Sequence, residues 1–259
     1  MQIDIYQVDA FASRPFEGNP AAVCPLDAWL PDSLMQSIAL ENNLSETAFF
    51  VPEGDGYAIR WFTPLAEVDL CGHATLASAW VIFHRLGHDE AAIRFASRSG
   101  PLTVNREGGL LELDFPAQPP TPCPVPKGLA GALGAKPREC LEFVDLVAVY
   151  DDPEDVLQAA PDMAALAVLD YRGIIITAPS AEYDFISRFF GPAVGVPEDP
   201  VTGSAHTKLT PYWAQRLGKK QLKARQDSAR GVDLECTLAG DRVLIAGRAL
   251  MVMQGKLEV

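Results

Sequence analysis

The first half of the chain alternates between apolar and polar residues in short runs, a period typical of half-buried strands. Clusters of turn residues separate the runs, among them Gly18-Asn19-Pro20 and the loop from Glu53 to Gly56. The two runs on either side of the second cluster predict a hairpin. The predicted strands cover residues 2–12, 21–24, 47–52, 57–63, 91–96, 102–104 and 110–115.

Two helices are predicted in the same half. Pro31 and Asp32 suit the first turn of one, which ends near Asn42. The other covers residues 74–86, where apolar side chains such as Trp80 leave no wide polar face for water. A helix of that kind must be enclosed, and the strands before and after it predict a central helix wrapped by a curved sheet.

A proline-rich stretch between residues 116 and 126 predicts an extended linker and a domain boundary. We therefore expect an N-terminal half over 1–117, completed by a strand from about 247–259, and a C-terminal half over 118–246. In the second half, Pro211 lies within a predicted helix and is expected to kink it or to limit its first segment.

The two halves repeat one another. An offset of 203 − 72 = 131 residues superimposes Gly203 on Gly72 and produces ten identities over 43 positions, where unrelated segments would share about two or three. Duplication predicts two equivalent strand-glycine-helix junctions, one at Cys71-Gly72-His73 and one at Thr202-Gly203-Ser204. Because helix N-termini attract anions, we expect these junctions to face one bound anion across a cleft between the halves.

Composition excludes several classes of protein. The 259 residues are 48% hydrophobic and 21% charged, and 21 basic against 34 acidic side chains leave a net charge of −13. That charge disfavours nucleic acid and anionic lipid as partners. The chain shows neither a signal peptide nor an apolar run long enough to span a bilayer, which favours a cytoplasmic protein.

Common cofactor and metal motifs are missing. The sequence contains no glycine-rich nucleotide loop, no hydrolase nucleophile elbow and no zincin motif. The five cysteines are widely separated without a C-x-x-C pair, which favours reduced, buried thiols. His84 and His88 are four residues apart but straddle Gly87 without a third ligand, so no metal site is predicted.

Four blocks of sequence, spread over most of the chain, carry a resemblance to a known family. They are Asp9–Phe11 with Gly18–Val23, Asn43–Phe49, Asp69–Thr75 and Glu198–His206. In this order they resemble the characteristic blocks of the PhzF-like phenazine-biosynthesis family. The resemblance implies the α+β diaminopimelate epimerase-like fold, with two pseudo-symmetric halves that each wrap a curved, mostly antiparallel sheet around a central helix. It also implies a homodimer without metal or organic cofactor.

The resemblance further implies an isomerase in which Glu46 moves a proton within the substrate, helped by His73, Asp199 and Ser204. A partly desolvated carboxyl group with a raised pKa can take a proton from carbon and return it elsewhere on the same face. His73 can share a proton with polar groups of the substrate, and Asp199 can hold that histidine or a substrate amine. We expect Ser204 and neighbouring N–H groups to bind a carboxylate. The expected substrate-binding positions are Asn19, Gly72, Thr202 and Gly203.

Each of these residues also has a purely structural interpretation. Glu46 could cap a strand end, His73 could be satisfied within the core, and Asp199 and Ser204 could cap a helix. His206 is a weaker candidate that could line the cleft, or pack on the helix with Lys208 directed to solvent.

Two other functions stay open. A racemase or epimerase of this fold would use two facing thiols as bases, but the repeat aligns Cys71 with Thr202, since 71 + 131 = 202. Cys71 is therefore expected to be a small buried residue. The third possibility is a non-catalytic protein that binds a ligand on the same fold.

Overall fold

The chain divides into two units in the computed structural model, which describes residues 1–259. One unit comprises Met1–Asp114 together with Ala246–Val259, and the other comprises Phe115–Ile245. None of the helices combines the length and the apolar character needed to cross a bilayer.

Strands outnumber helices in both units. The strands are β1 (Gln2–Ala10), β2 (Asn19–Pro25), β3 (Glu46–Glu53), β4 (Gly56–Phe62), β5 (Glu67–Val68), β6 (Ala92–Ser97), β7 (Gly100–Glu107), β8 (Leu110–Pro116), β9 (Thr121–Cys123), β10 (Glu139–Glu142), β11 (Leu146–Val149), β12 (Ile174–Pro179), β13 (Phe185–Gly191), β14 (Val196–Asp199), β15 (Gln221–Gln226), β16 (Val232–Ala239), β17 (Arg242–Gly247) and β18 (Ala249–Glu258). The helices are α1 (Asp32–Asn42), α2 (Gly72–Arg85), α3 (Leu129–Leu133), α4 (Pro153–Leu157), α5 (Met163–Ala167) and α6 (Gly203–Leu217), with a 3₁₀ turn at Pro192–Val194.

The first unit wraps its strands around α2. Ten of the fourteen residues of α2 are buried, so the helix is enclosed as its apolar composition predicts. β1 pairs with β2 and, on its other side, with β18 from the C-terminus. The predicted hairpin is also present, since β3 and β4 are antiparallel around the turn at Gly54. Helix α1 ends where Asn43 takes a left-handed conformation, at φ 49°, which is a common way to terminate a helix.

The second unit repeats the strand pairing of the first. From β1 to β7 the successive pairs are antiparallel (β1–β2), parallel (β2–β3), antiparallel (β3–β4), antiparallel (β4–β5), parallel (β4–β6) and antiparallel (β6–β7). The pairs β10–β11, β11–β12, β12–β13, β13–β14, β13–β15 and β15–β16 follow the same order. Helices α2 and α6 occupy the same place in the two series, and they begin at Gly72 and Gly203, the pair that the sequence repeat aligned.

One ion pair recurs ahead of both helices. In the first unit Arg60 of β4 donates to both carboxylate oxygens of Glu67 in β5, at 2.7 Å each. In the second unit Arg188 of β13 donates to both oxygens of Glu198 in β14, at 2.7 and 3.0 Å. Bidentate pairs of this kind fix direction as well as distance. They hold the short strand that leads into each helix.

The hydrophobic pattern predicts no element between residues 127 and 197, where the structure has β10–β14 and α3–α5. Several of these are only four or five residues long. Such segments are too short to display a reliable period. The strands β10 and β11 are recognisable only through their pairing with one another and with β9 and β12.

Pro211 does not end its helix, because α6 continues to Leu217. Proline lacks the N–H that would bond to the carbonyl of Thr207, one turn earlier. The backbone N–H of Gln118, in the proline-rich stretch, donates to that carbonyl at 3.0 Å instead. The stretch predicted as a linker is therefore anchored on α6.

The turn between β1 and β2 is held by a buried carboxylate and by a glycine. Asp9 is 1% exposed and accepts a hydrogen bond from the backbone N–H of Phe16 at 2.9 Å. Gly18 has φ +71°, and a Cβ there would lie 2.2 Å from the carbonyl oxygen of Ala10. The turn therefore requires glycine for space as well as for conformation.

We expect Gly18→Ala to destabilise the protein by about 2–4 kcal/mol, from left-handed strain plus the clash with backbone. Gly54→Ala is the matched control, because Gly54 has φ +59° but nothing within 4 Å of a Cβ. The control should lose only about 1 kcal/mol. Urea unfolding measures both variants. Equal losses would show that the turn accommodates a methyl group without cost.

Candidate active site

Glu46 and His73 meet in the first unit. Glu46 is the first residue of β3, whose register against β2 places it opposite Ala21. His73 is the second residue of α2. The imidazole Nε2 lies 3.2 Å from the Oε2 atom of Glu46, with 6% of the histidine side chain and 18% of the glutamate side chain exposed. Two residues predicted to act together are thus in contact, through an Oε2 atom that is itself buried.

Asn19 determines which nitrogen of His73 carries the proton. The Oδ1 atom of Asn19 accepts from the hydroxyl of Ser45 at 3.4 Å, and its Nδ2 group lies 3.3 Å from Nδ1 of His73. An amide NH₂ can only donate, so Nδ1 is the acceptor and the proton resides on Nε2. Asn19, predicted to bind substrate, therefore orients the imidazole.

The imidazole of His73 is neutral. Burial lowers its pKa to about 3, because the charged form would lose its hydration. The contact with Glu46 is accordingly not an ion pair. The Nε2–H group is close enough to the carboxylate for a hydrogen bond, but its direction does not form one. A substrate atom placed beside the carboxylate can therefore accept a hydrogen bond from this N–H group.

Cys71 belongs to the same cluster. It is the residue before α2, is 6% exposed, and has its Sγ atom 3.5 Å from Nδ1 of His73. Ligand atoms of Glu46, Cys71 and His73 all lie within 4.8 Å of one another, a donor set that zinc accepts. However, Glu46 lies at Nε2 and Cys71 at Nδ1. The two ring nitrogens point in opposite directions, so a single ion cannot use both close contacts.

In the second unit a buried amide ties Asp199 to Thr202. The hydroxyl of Thr202 donates to Oδ2 of Asp199 at 2.6 Å. Gln226, which is fully buried, accepts from the backbone N–H of Thr202 at 2.9 Å and donates to the carbonyl of Asp199 at 2.7 Å. Sequence reasoning missed Gln226. Its position could have indicated a role, because Gln226 follows Leu222 and Ala224 at the alternate positions of β15 that are buried. A polar side chain buried there requires hydrogen-bond partners.

Ser204 is held by charged residues that the sequence analysis also missed. Its Oγ atom accepts from Nη2 of Arg172 at 3.0 Å. Arg172 donates to both oxygens of the fully buried Asp145, at 2.8 and 2.6 Å. Lys208 lies 3.1 Å from the same carboxylate. Since 42% of the Arg172 side chain is exposed, this arrangement presents a hydroxyl and a guanidinium edge that can bind a carboxylate.

The interpretation of Asp199 and Ser204 as helix caps is wrong. Thr202 occupies the cap position of α6, and no side chain forms a capping hydrogen bond there. The same is true of Cys71 at the start of α2. The glycines Gly72 and Gly203 are the first residues of the two helices, so neither helix begins with a side chain that screens its N-terminal backbone.

His206 packs within the second unit. Its Nδ1–H donates to the carbonyl of Thr202 at 2.9 Å, and its ring lies 6.0 Å from that of Phe185. Burial lowers its pKa to about 4. Lys208 is 1% exposed and does not point to solvent, which corrects that part of the alternative interpretation. Its ammonium group donates to Gln118 and to the carbonyl of Ser204, at 2.9 Å each.

The chain is similar to proteins of a known family. A model of the family described as Phenazine biosynthesis-like protein (PhzC-PhzF) matches residues 8–255. An uncharacterized isomerase of Pseudomonas aeruginosa is 57% identical over 259 residues, covering 100% of both chains. In mouse, Phenazine biosynthesis-like domain-containing protein 1 is 39% identical over 286 residues and covers 99% of each.

Solved structures agree. A PhzF family protein of Enterococcus faecalis superimposes with a TM-score of 0.98 at 47% identity, covering 100% of both chains. A hydroxyproline epimerase of Agrobacterium vitis superimposes with a TM-score of 0.62 at 9% identity, covering 99% of this chain and 92% of that one. The second likeness concerns the fold alone. Together they confirm the expected diaminopimelate epimerase-like fold.

The two buried histidines are expected to be neutral and to have opposite tautomers. His73 should carry its proton on Nε2 and His206 on Nδ1, as their partners require. Both should stay neutral from pH 8 to pH 5, because burial lowers their pKa values from 6.5 to about 3 and about 4. Nitrogen-15 NMR of the imidazoles distinguishes the tautomers. A protonated ring at pH 6, or exchanged tautomers, would contradict the arrangement.

These pKa values also predict the pH dependence of stability. The unfolded chain binds protons at both histidines near pH 6.5, whereas the folded chain does so only near pH 3 and 4. The free energy of unfolding should therefore fall as the pH is lowered from 6.5 toward 4. His206→Phe should weaken this dependence in urea titrations.

Asp145 and Lys208 should contribute unequally to stability. Asp145→Asn leaves the buried ammonium of Lys208 without a counter-charge, which should cost about 3–5 kcal/mol. Lys208→Met should cost less, because Asp145 keeps its bidentate bond to Arg172. Urea unfolding at neutral pH compares the two variants. An equal or larger loss for Lys208→Met would contradict the assigned roles.

Proposed function

We propose, since the chain belongs to the Phenazine biosynthesis-like protein family, that it is an isomerase that moves a proton within a small carboxylate-bearing metabolite. The proposal rests above all on one observation: the carboxylate of Glu46, whose side chain is 18% exposed, lies 3.2 Å from the Nε2 atom of a neutral, buried His73. A carboxylate and an N–H donor therefore lie side by side, where one substrate molecule can contact both.

Each of the two groups has a role in such a reaction. Glu46 takes a proton from a carbon atom of the substrate and returns it to another carbon on the same face, which requires a single base. As the proton leaves, negative charge develops on a conjugated substrate atom. The Nε2–H of His73 donates a hydrogen bond to that atom. A neutral imidazole is suited to this role, because Asn19 already orients it and, without a charge, it loses little by being buried away from water.

Other residues enter the proposal through the resemblance of their sequence blocks. We assign Asp199 to the polar groups of the same substrate, with its orientation set by Thr202 and Gln226. Ser204 binds the substrate carboxylate, and Arg172 supplies the positive charge beside it. Gly72 and Gly203 add the backbone N–H groups that begin α2 and α6.

The remaining elements of the proposal rest on the resemblance alone. They are a homodimer and a reaction without metal or organic cofactor. A cytoplasmic location, expected from the sequence, is also part of the proposal.

A racemase with two thiol bases is the second candidate, and the structure of the second junction disfavours it. Thr202 stands where that mechanism needs the second thiol, and its hydroxyl is bonded to Asp199 at 2.6 Å. A non-catalytic binding protein is the third candidate. It would bind the same carboxylates without exchanging their hydrogen atoms.

We expect the native protein to exchange or move a carbon-bound hydrogen in one or more members of a panel of unsaturated and amino carboxylic acids. In deuterated water, proton NMR then detects deuterium at carbon. Glu46→Gln should lower the rate at least 10²-fold, since the amide cannot accept the proton. Glu53→Gln is the matched control, because Glu53 is the exposed last residue of the same strand. It should leave the rate unchanged.

The outcomes separate the three candidates. A rate that survives Glu46→Gln but is lost in Cys71→Ser, with inversion at the α-carbon, would favour the racemase. Ligands that bind the native protein without any hydrogen exchange would favour the binding protein. Either result would refute the proposal.

A further inference from the structure

A cavity of about 240 Å³ lies in the first unit at the C-terminal end of α2. Trp80 and His84 of the last turns of α2 form one wall, and Arg106 of β7 and Arg248 before β18 line it elsewhere. His73 and His84 are eleven residues apart on the helix, which separates them by about 16 Å along its axis. The cavity is therefore distinct from the cluster of Glu46 and His73.

The lining of this cavity is positively charged, whereas the chain as a whole is negatively charged. No aspartate or glutamate lines it, and neither Arg106 nor Arg248 forms an ion pair. Arg85, beside the cavity wall, also lacks one and instead lies over the Trp80 ring at 5.8 Å. Nine other arginines do pair with carboxylates: Arg14, Arg60, Arg94, Arg98, Arg138, Arg172, Arg188, Arg216 and Arg225. In a chain with a net charge of −13, two lining arginines without counter-ions favour the binding of an anion in this cavity.

The end of α2 does not cancel this charge. A helix C-terminus carries a partial negative charge of about half an elementary unit. The two guanidinium groups of Arg106 and Arg248 outweigh it, so the local potential remains positive. Arg106 is also held in place, with its guanidinium 4.4 Å from the centre of the Phe83 ring.

Trp80 and His84 form a fixed aromatic stack beside the cavity. The two rings are stacked, with centroids 4.5 Å apart and planes within 15°. Nδ1–H of His84 donates to the carbonyl of Trp80 at 2.8 Å, which holds the histidine ring in position. The stack leaves the His84 ring exposed, and a planar ligand can stack on such a ring face. On the opposite side, Gly109 adds no side chain, and its missing Cβ would lie 3.5 Å from Nη1 of Arg248.

We propose that this cavity binds a small aromatic carboxylate, with its ring against the exposed imidazole of His84 and its carboxylate between Arg106 and Arg248. Guanidinium groups match the planar carboxylate with paired hydrogen bonds. The volume is below the range of about 300–1,000 Å³ that accommodates drug-sized ligands, so one ring with one or two carboxylates is the size that fits. The proposal does not depend on the function assigned to Glu46.

Calorimetric titration of the intact protein with benzoate and phthalate tests this site. Inorganic phosphate and neutral benzamide serve as the anion-only and ring-only probes. Arg106→Gln and Arg248→Gln should each weaken binding of phthalate at least tenfold. Arg94→Gln is the matched control, since Arg94 is exposed and pairs with Asp55 elsewhere in the same unit. It should bind as the native protein does, and so should Glu46→Gln, which separates this site from the proposed catalytic one.

Arg248→Gln guards against a folding artefact, because the exposed Arg248 side chain forms no ion pair whose loss would destabilise the protein. Circular dichroism confirms the fold of each variant. The proposal is wrong if no carboxylate binds at millimolar concentration, or if binding is lost in Glu46→Gln while both arginine variants keep it. It is equally wrong if phosphate binds as tightly as phthalate with the same dependence on the arginines, which would show a phosphate site.

Discussion

The architecture depends on one constraint: α2 has no wide polar face that could be exposed to water. A helix with ten of fourteen residues buried can exist only if the chain surrounds it, and β1 to β7 with β18 do so. The enclosing strands come from both ends of the sequence, since β18 returns to pair with β1. The helix is thereby fixed at both of its ends. His73 lies at one end beside Glu46, and Trp80 and His84 lie at the other beside the cavity.

The duplicated Arg–Glu pair explains how two such helices begin at defined points. Arg60 with Glu67, and Arg188 with Glu198, each hold a short strand just ahead of a glycine-initiated helix. The two junctions share this clamp but carry different chemistry. The first offers a carboxylate with a neutral imidazole, and the second offers a hydroxyl supported by a guanidinium. The two units share one scaffold but differ in the side chains at the helix starts.

Burial determines the electrostatics of the site. His73 is neutral because its environment excludes water, and its tautomer follows from Asn19, 54 residues earlier in the chain. Lys208 shows the opposite solution, because it is buried among hydrogen-bond acceptors beside the carboxylate of Asp145. One group gives up its charge, and the other lies beside a counter-charge.

The sequence by itself determined the features that have a local period or a repeat. The apolar surface of α2, the hairpin of β3 and β4, and the 131-residue offset were all visible in the order of residues, as were the blocks containing Glu46 and His73. Only the tertiary structure showed that Arg172, Asp145 and Ser204 form one network, that Gln118 closes the gap left by Pro211, and that the linker is anchored. These contacts join residues 27 to 89 positions apart. A contact between residues that distant in the chain produces no periodic pattern in the sequence.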